Sequence, residues 1–285
     1  MSGTSVTGAD EEEKKSKLVI LPPRSWVPIH FSELWGFREL LYFFVWRDVK
    51  IRYKQSLLGF SWAIIQPLFM MVIFSLLFGR FAKMPSDGIP YPLYSIAAVL
   101  PWTLFAQGLD RSTTSMVREP HLMTKVYFPR MIMPLAGVIS PLVDFAAAST
   151  ILIGMMAYYG AMPTANIVWL PLLIIFAVLS SLGVSLWLSA LNVQYRDFQY
   201  VVPFLVQIWL FASPVVYPSS ILPEPWQTLS GLNPMAGVIA GFRWALLGTS
   251  PPSMMILLSA VIVVVLLVTG AFYFKRMEQY FADVI

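Results

Sequence analysis

Arg47, Lys50, Arg52 and Lys54 crowd into eight residues and carry the strongest chemical signal in the chain. Arg47, Lys50 and Lys54 recur at helical spacing, so a helix would present them on one face, where they could meet a phosphate or an anionic lipid headgroup. A second signal is Asp144, the acidic residue deep in a long apolar segment. An ionisable group there is costly and marks a functional site or a buried pair. No basic partner stands in another apolar segment, so a structural role, with Ser140 or Thr150 hydroxyls as caps, is favoured over a proton or ion pathway. Cysteine is absent, which excludes disulfides, thiolate metal sites and cysteine nucleophiles. His30 and His121 stand apart from any carboxylate cluster, so no metal site is expected. No G-x-x-x-x-G-K-[ST] motif occurs, so the chain is not itself a phosphate-loop ATPase.

The elements that hold these residues belong in a membrane. Of 285 residues, 58% are hydrophobic and 12% charged, with mean hydropathy +0.70, too few polar groups to clothe a water-facing surface. A crossing helix needs about 20 mostly apolar residues, and six segments qualify: 57–78, 92–109, 131–159, 167–191, 200–217 and 253–274. Between the last two, residues 214–247 are apolar but broken by Pro214, Pro218, Pro225 and Pro234, which bars one continuous helix. One or two short re-entrant helices on the outer side are expected there, with Trp226 and Arg243 among them. With six spans and the N-terminus inside, sixteen of the nineteen basic residues fall on the cytoplasmic side, leaving Arg80, Lys83 and Arg243 outside. Both termini are therefore expected to be cytoplasmic. Residues 1–30 read as a disordered polar tail.

Residues 31–56 form an amphipathic interface helix in this reading. Ser32 caps it, Leu34, Phe37, Leu41, Phe44 and Val45 face the apolar side, and the helix runs unbroken into the first span. It is either an anchor for that span or, in addition, a contact for anionic headgroups or a phosphorylated substrate. In the loop after the second span, Pro120 and Pro129 bracket a short helical stretch carrying His121, Leu122, Met123, Lys125, Val126 and Tyr127. That stretch either docks into a groove on a cytoplasmic partner or lies on the membrane surface. Trp62, Tyr94, Trp102, Phe105, Tyr158 and Tyr159 could stack on sugar rings along a glycan pathway, or could serve as interfacial belts and core packing.

Four blocks carry a family likeness: WRDVKIRYKQSLLGFSWAIIQPL, GIPYPLYSIAAVLPWTLF, HLMTKVYFPR, and LNVQYRDFQYVVPFLVQIWLFASPVVYP with GLNPMAGVIAGFRWALLG. In order and spacing they resemble the transmembrane subunit of bacterial type-2 ABC polysaccharide exporters, nearest the O-antigen branch, from about Trp35 onward. The resemblance implies an all-α inner-membrane half-transporter with six spans in residues 57–285. It also implies a coupling helix near 119–130 and an outer gate near 214–247. Two copies of the chain would work with two copies of a separate ATPase, where ATP and magnesium would bind. No cofactor is expected in this chain, and no nucleic acid as partner. The implied cargo is a polysaccharide on undecaprenyl diphosphate, whose head would meet Arg47, Lys50, Arg52 and Lys54. Capsule and teichoic-acid exporters are near relatives. An ion-coupled secondary transporter would call for more intramembrane charge and repeated halves, and an enzyme acting on lipid carriers would call for a catalytic cluster.

Overall fold

A computed structural model describes residues 31–54, 58–119, 127–252 and 254–281. Among these residues the regular structure is entirely helical. A short α1 (Phe31–Gly36) turns at Phe37 into α2 (Arg38–Lys54). A 3-10 turn at Gly59–Ser61 opens α3 (Trp62–Phe74), which widens into a π-helical end at Ser75–Phe81. Then follow α4 (Tyr91–Arg118), α5 (Ile132–Ile139), α6 (Pro141–Tyr158) and α7 (Leu170–Gln194). The chain continues through α8 (Phe198–Ala212), α9 (Glu224–Ser230), α10 (Pro234–Leu247) and α11 (Met254–Met277).

Four helical stretches are long and apolar enough to cross a bilayer: Gly59–Phe81, Ile132–Tyr158, Ala165–Gln194 and Met254–Tyr280. The longest helix, α4, is not among them, because it is the hub on which α3, α5, α6, α7, α8 and α10 pack. A helix enclosed by protein need not be apolar all round. It was expected to end at residue 109, yet it continues to Arg118. The polar residues that read as a loop find partners on neighbouring helices. Ser112 Oγ meets Ser185 Oγ at 2.9 Å, and the Asn192 amide donates to the Thr113 carbonyl at 3.0 Å.

Small residues set the seams. Gly137 on α5 lies so close to α4 that an added Cβ would stand 2.7 Å from the Ser112 backbone, which cannot yield. Ser181 on α7 faces Gly108 and donates to the Phe105 carbonyl at 3.2 Å. Gly270 on α11 approaches the Gly183 carbonyl in the same way.

Two further expectations change. The interface helix does not run unbroken into the first span: Gly59 sits at φ +48°, a left-handed turn that an α-helix cannot contain. The third span keeps its expected extent as Ile132–Tyr158, with the helix ladder interrupted at Ser140–Pro141, where proline removes a backbone donor. The fifth is shorter than expected, because α8 stops at Ala212 and the chain from Ser213 onward leaves the helical path. Asn233 fastens that end. Its amide donates to Ser213 Oγ at 2.8 Å, while its Oδ1 accepts from Trp209 and caps α10 through Met235 N–H.

Candidate functional site

Of the expected apolar face of the interface helix, Phe44 is buried, while Leu34, Phe37, Leu41 and Val45 are half-buried against the same cluster. Phe44 is 4% exposed and meets Phe128 edge-on at 5.8 Å, within a cluster that takes in Met116, Ile132, Ala136, Leu186 and Phe274. Thus α2 packs chiefly on α5, beside the Arg118 end of α4. Its basic residues divide into two sets. Lys50 and Lys54 are exposed, with Lys50 Nζ 4.3 Å from the Trp46 ring centre. Arg47 and Arg52 are tied to acids: Arg47 pairs with Asp48 at 3.0 Å and with Glu119 at 3.3 Å, and Arg52 pairs with Asp144.

Asp144, with its side chain 8% exposed, is the centre of this end. Arg52 donates to one carboxylate oxygen and the Tyr53 hydroxyl to the other. From α4, Arg111 donates to Asp144 at 3.0 Å, to Gln107 at 3.1 Å and to Ser140 Oγ at 3.4 Å. The expected hydroxyl caps are not the partners. Ser140 receives from Arg111, and the Thr150 hydroxyl donates to the Ala147 carbonyl. Two arginines and a phenol supply what a carboxylate loses on leaving water. Burial, and then the bond to Asp144, raise the Tyr53 hydroxyl to about 12. A raised phenol keeps its proton below pH 10 in folded and unfolded chains alike, so the stability this donor contributes is fully present there and is lost as the pH rises from about 10 through about 12. Beside the cluster is a cleft of about 320 Å³ lined by Phe44, Arg47, Arg52, Arg111, Arg118 and Glu119. Asp48, Glu119 and Asp144 offset most of its positive charge.

Of the expected docking stretch, His121, Leu122, Met123, Lys125 and Val126 lie outside the described residues. Tyr127 is 86% exposed. The chain beyond it is pinned to the end of α11: Arg130 N–H donates to Glu278 Oε1 at 3.1 Å, and its guanidinium to the Glu278 carbonyl.

At the opposite end, Pro214, Pro218 and Pro234 are buried while Pro225 and Trp226 are exposed. Arg243 is 4% exposed and donates to the carbonyls of Pro214 (2.7 Å), Val215 (2.6 Å), Tyr217 and Tyr94. Its guanidinium also lies 3.6 Å from the Tyr94 ring centre. Among the described residues its charge is met by carbonyl oxygens, with no carboxylate in ion-pair range. The six aromatics separate. Tyr94, Trp102 and Phe105 are buried because α4 is central, and Phe105 packs edge-on against Trp209 at 5.2 Å. Trp62, Tyr158 and Tyr159 stand on the surface.

Sequence reasoning missed the Arg52–Asp144–Arg111 cluster and the Arg130–Glu278 clasp. The first had one signal: a buried acid needs a base, and Arg111 stands just past the apolar run.

The "ABC-2 type transporter" family description matches residues 39–247, from α2 through the last residue of α10. The chain belongs to the ABC-2 type transporter family. Relatives of this ABC-2 chain include the "O-antigen export system permease protein RfbA" of Myxococcus xanthus. That protein is 32% identical over 214 residues, covering 74% of this chain and 81% of the relative. A Klebsiella pneumoniae protein of the same name is 27% identical over 87% of this chain and 95% of the relative. The "Polysialic acid transport protein KpsM" of Escherichia coli is 21% identical over 70% and 78%. Both the α2 basic set and Arg243 fall within the residues the ABC-2 family matches.

Proposed function

We propose that this chain is the membrane half of an ATP-driven exporter that moves a polysaccharide on a lipid diphosphate, of the O-antigen kind, out of the cytoplasm. The observation that carries this reading is the similarity to O-antigen export permeases across most of the chain. The more distant polysialic acid relative keeps capsule export as the second reading. In this scheme the chain makes six passes of the inner membrane with both termini inside. A second copy completes the pathway, and two copies of a cytoplasmic ATPase supply the energy, with residues 119–130 as the docking segment. Lys50 and Lys54, exposed and with no carboxylate in ion-pair range among the described residues, make first contact with the diphosphate; Arg47 already holds Asp48 and Glu119. The surface aromatics Trp62, Tyr158 and Tyr159 are the rings available to passing sugars. Pro214, Pro218, Pro225, Trp226, Pro234 and Arg243 frame the outer gate.

Deletion of the gene in its own host should leave lipid-linked polysaccharide trapped inside and absent from the cell surface. Normal surface polysaccharide in the deletion strain would overturn the reading. In a complemented strain, Lys50→Glu with Lys54→Glu should lower surface polysaccharide at equal protein level. Unchanged export would remove the phosphate-contact role. A charge placed at Leu122 or Val126 should prevent the ATPase from co-purifying.

A further inference from the structure

The ion cluster around Asp144 stands at the joint between α5 and α6, and α2 grips both sides of that joint. On the α5 side the grip is packing: Phe44 lies among Met131, Ile132, Met133 and Ala136. On the α6 side it is polar, with Arg52 and Tyr53 each holding one oxygen of Asp144. Arg111 bridges the same joint from α4, reaching Ser140 at 3.4 Å and Asp144 at 3.0 Å. Pro141 removes the donor that would continue the helix ladder, so the joint is the place where the pair bends most easily. Gly137 seats α5 closely against the Ser112 backbone of α4. A rocking of α2 that pulls on Asp144 through Arg52 and Tyr53 acts on α6 beyond the joint. From Asp144 to Tyr158 the helix extends about 21 Å, a lever whose far end carries the exposed Tyr158 and Tyr159.

Resting on the exporter reading, we infer that Arg52, through Asp144, is the strap by which motion of the interface helix tilts α6. Arg52 is then a positioning residue for transport and not a contact for cargo. Exposed Lys50 and Lys54 are free to bind phosphate; Arg52 is already committed to a buried carboxylate.

The test compares Arg52→Gln, Arg52→Asp, and a permuted pair, Arg52→Asp with Asp144→Arg, made together with Arg111→Gln so that no second arginine faces the new one, each in the intact complex with its ATPase. Three quantities are read: assembled complex, ATP hydrolysis and surface polysaccharide. Arg52→Gln leaves Asp144 with Arg111 and Tyr53, so the spans keep their buried pair. It should assemble and hydrolyse ATP while export falls by about tenfold, the size of a coupling loss near one hydrogen-bonded charge pair. Arg52→Asp should export less still, and the permuted pair should recover most of the loss, because an acid and a base again join α2 to α6. Wild-type export by Arg52→Gln at equal protein would overturn the strap, as would its failure to assemble, which would make Arg52 an assembly residue. A permuted pair no better than Arg52→Asp would also overturn it and return Arg52 to phosphate capture. In each of those cases the wild-type complex still exports, so the exporter reading stands. Absence of export by wild type itself would overturn both.

Discussion

Arg243 shows how one side chain can stand in for secondary structure. The chain leaves helix at Ser213, and the carbonyls of Pro214 and Val215 that follow are buried. A buried acceptor without a partner costs about 1–3 kcal/mol, and one guanidinium serves both. Arg243→Leu should therefore destabilise the purified protein by about 2–6 kcal/mol, with two such acceptors left bare. Arg243→Lys should lose less, since an ammonium can reach one carbonyl but lacks the fork. Thermal unfolding in detergent checks both. At this scale the sequence was legible in kind and not in pairing. Asp144 announced itself as a buried charge, and its partners did not. Arg52 and Arg111 lie 92 and 33 residues away, and no periodicity connects an interface helix, a central helix and a joint.

Among the elements, hydropathy located α3, the α5–α6 pair, α7 and α11, whose outer faces are apolar. It misjudged α4 and α8, for opposite reasons. The first goes on past its apolar run because neighbours satisfy its polar half. The second stops short because Arg243 and Asn233 hold the chain beyond it in a non-helical course. The break in the helix ladder at Ser140–Pro141 left a trace in sequence as one proline, but proline at the first turn of a helix is also ordinary. Two substitutions separate fit from flexibility here. Gly137→Val places a branched side chain against the Ser112 backbone and should reduce folded protein sharply. Pro141→Ala restores a backbone donor and should raise thermal stability slightly, while stiffening the joint and lowering export. The two readouts moving in opposite directions would be the signature of a functional bend.

Across the whole molecule, α2, the Arg118 end of α4 and the end of α11 gather at one end, and α9, α10 and the chain around Pro214 lie toward the other. The absence of cysteine makes this arrangement open to direct measurement. Tyr127→Cys should react with an impermeant maleimide only when the cytoplasmic side is opened, and Ser220→Cys in intact spheroplasts. Labelling of both from the same side would refute the orientation. The wide exposed apolar surface of α3, α7 and α11 needs lipid or another copy to cover it. One consequence of the Arg243 clasp concerns membrane voltage. A cation with no carboxylate in ion-pair range among the described residues does electrical work whenever its helix shifts. Moving one charge through a 100 mV potential is worth about 2.3 kcal/mol, so a shift through a tenth of the field is worth about 0.2 kcal/mol. That is small beside the carbonyl contacts that would have to break. The clasp should hold equally well in energised and de-energised cells, and α10 should not act as a voltage sensor.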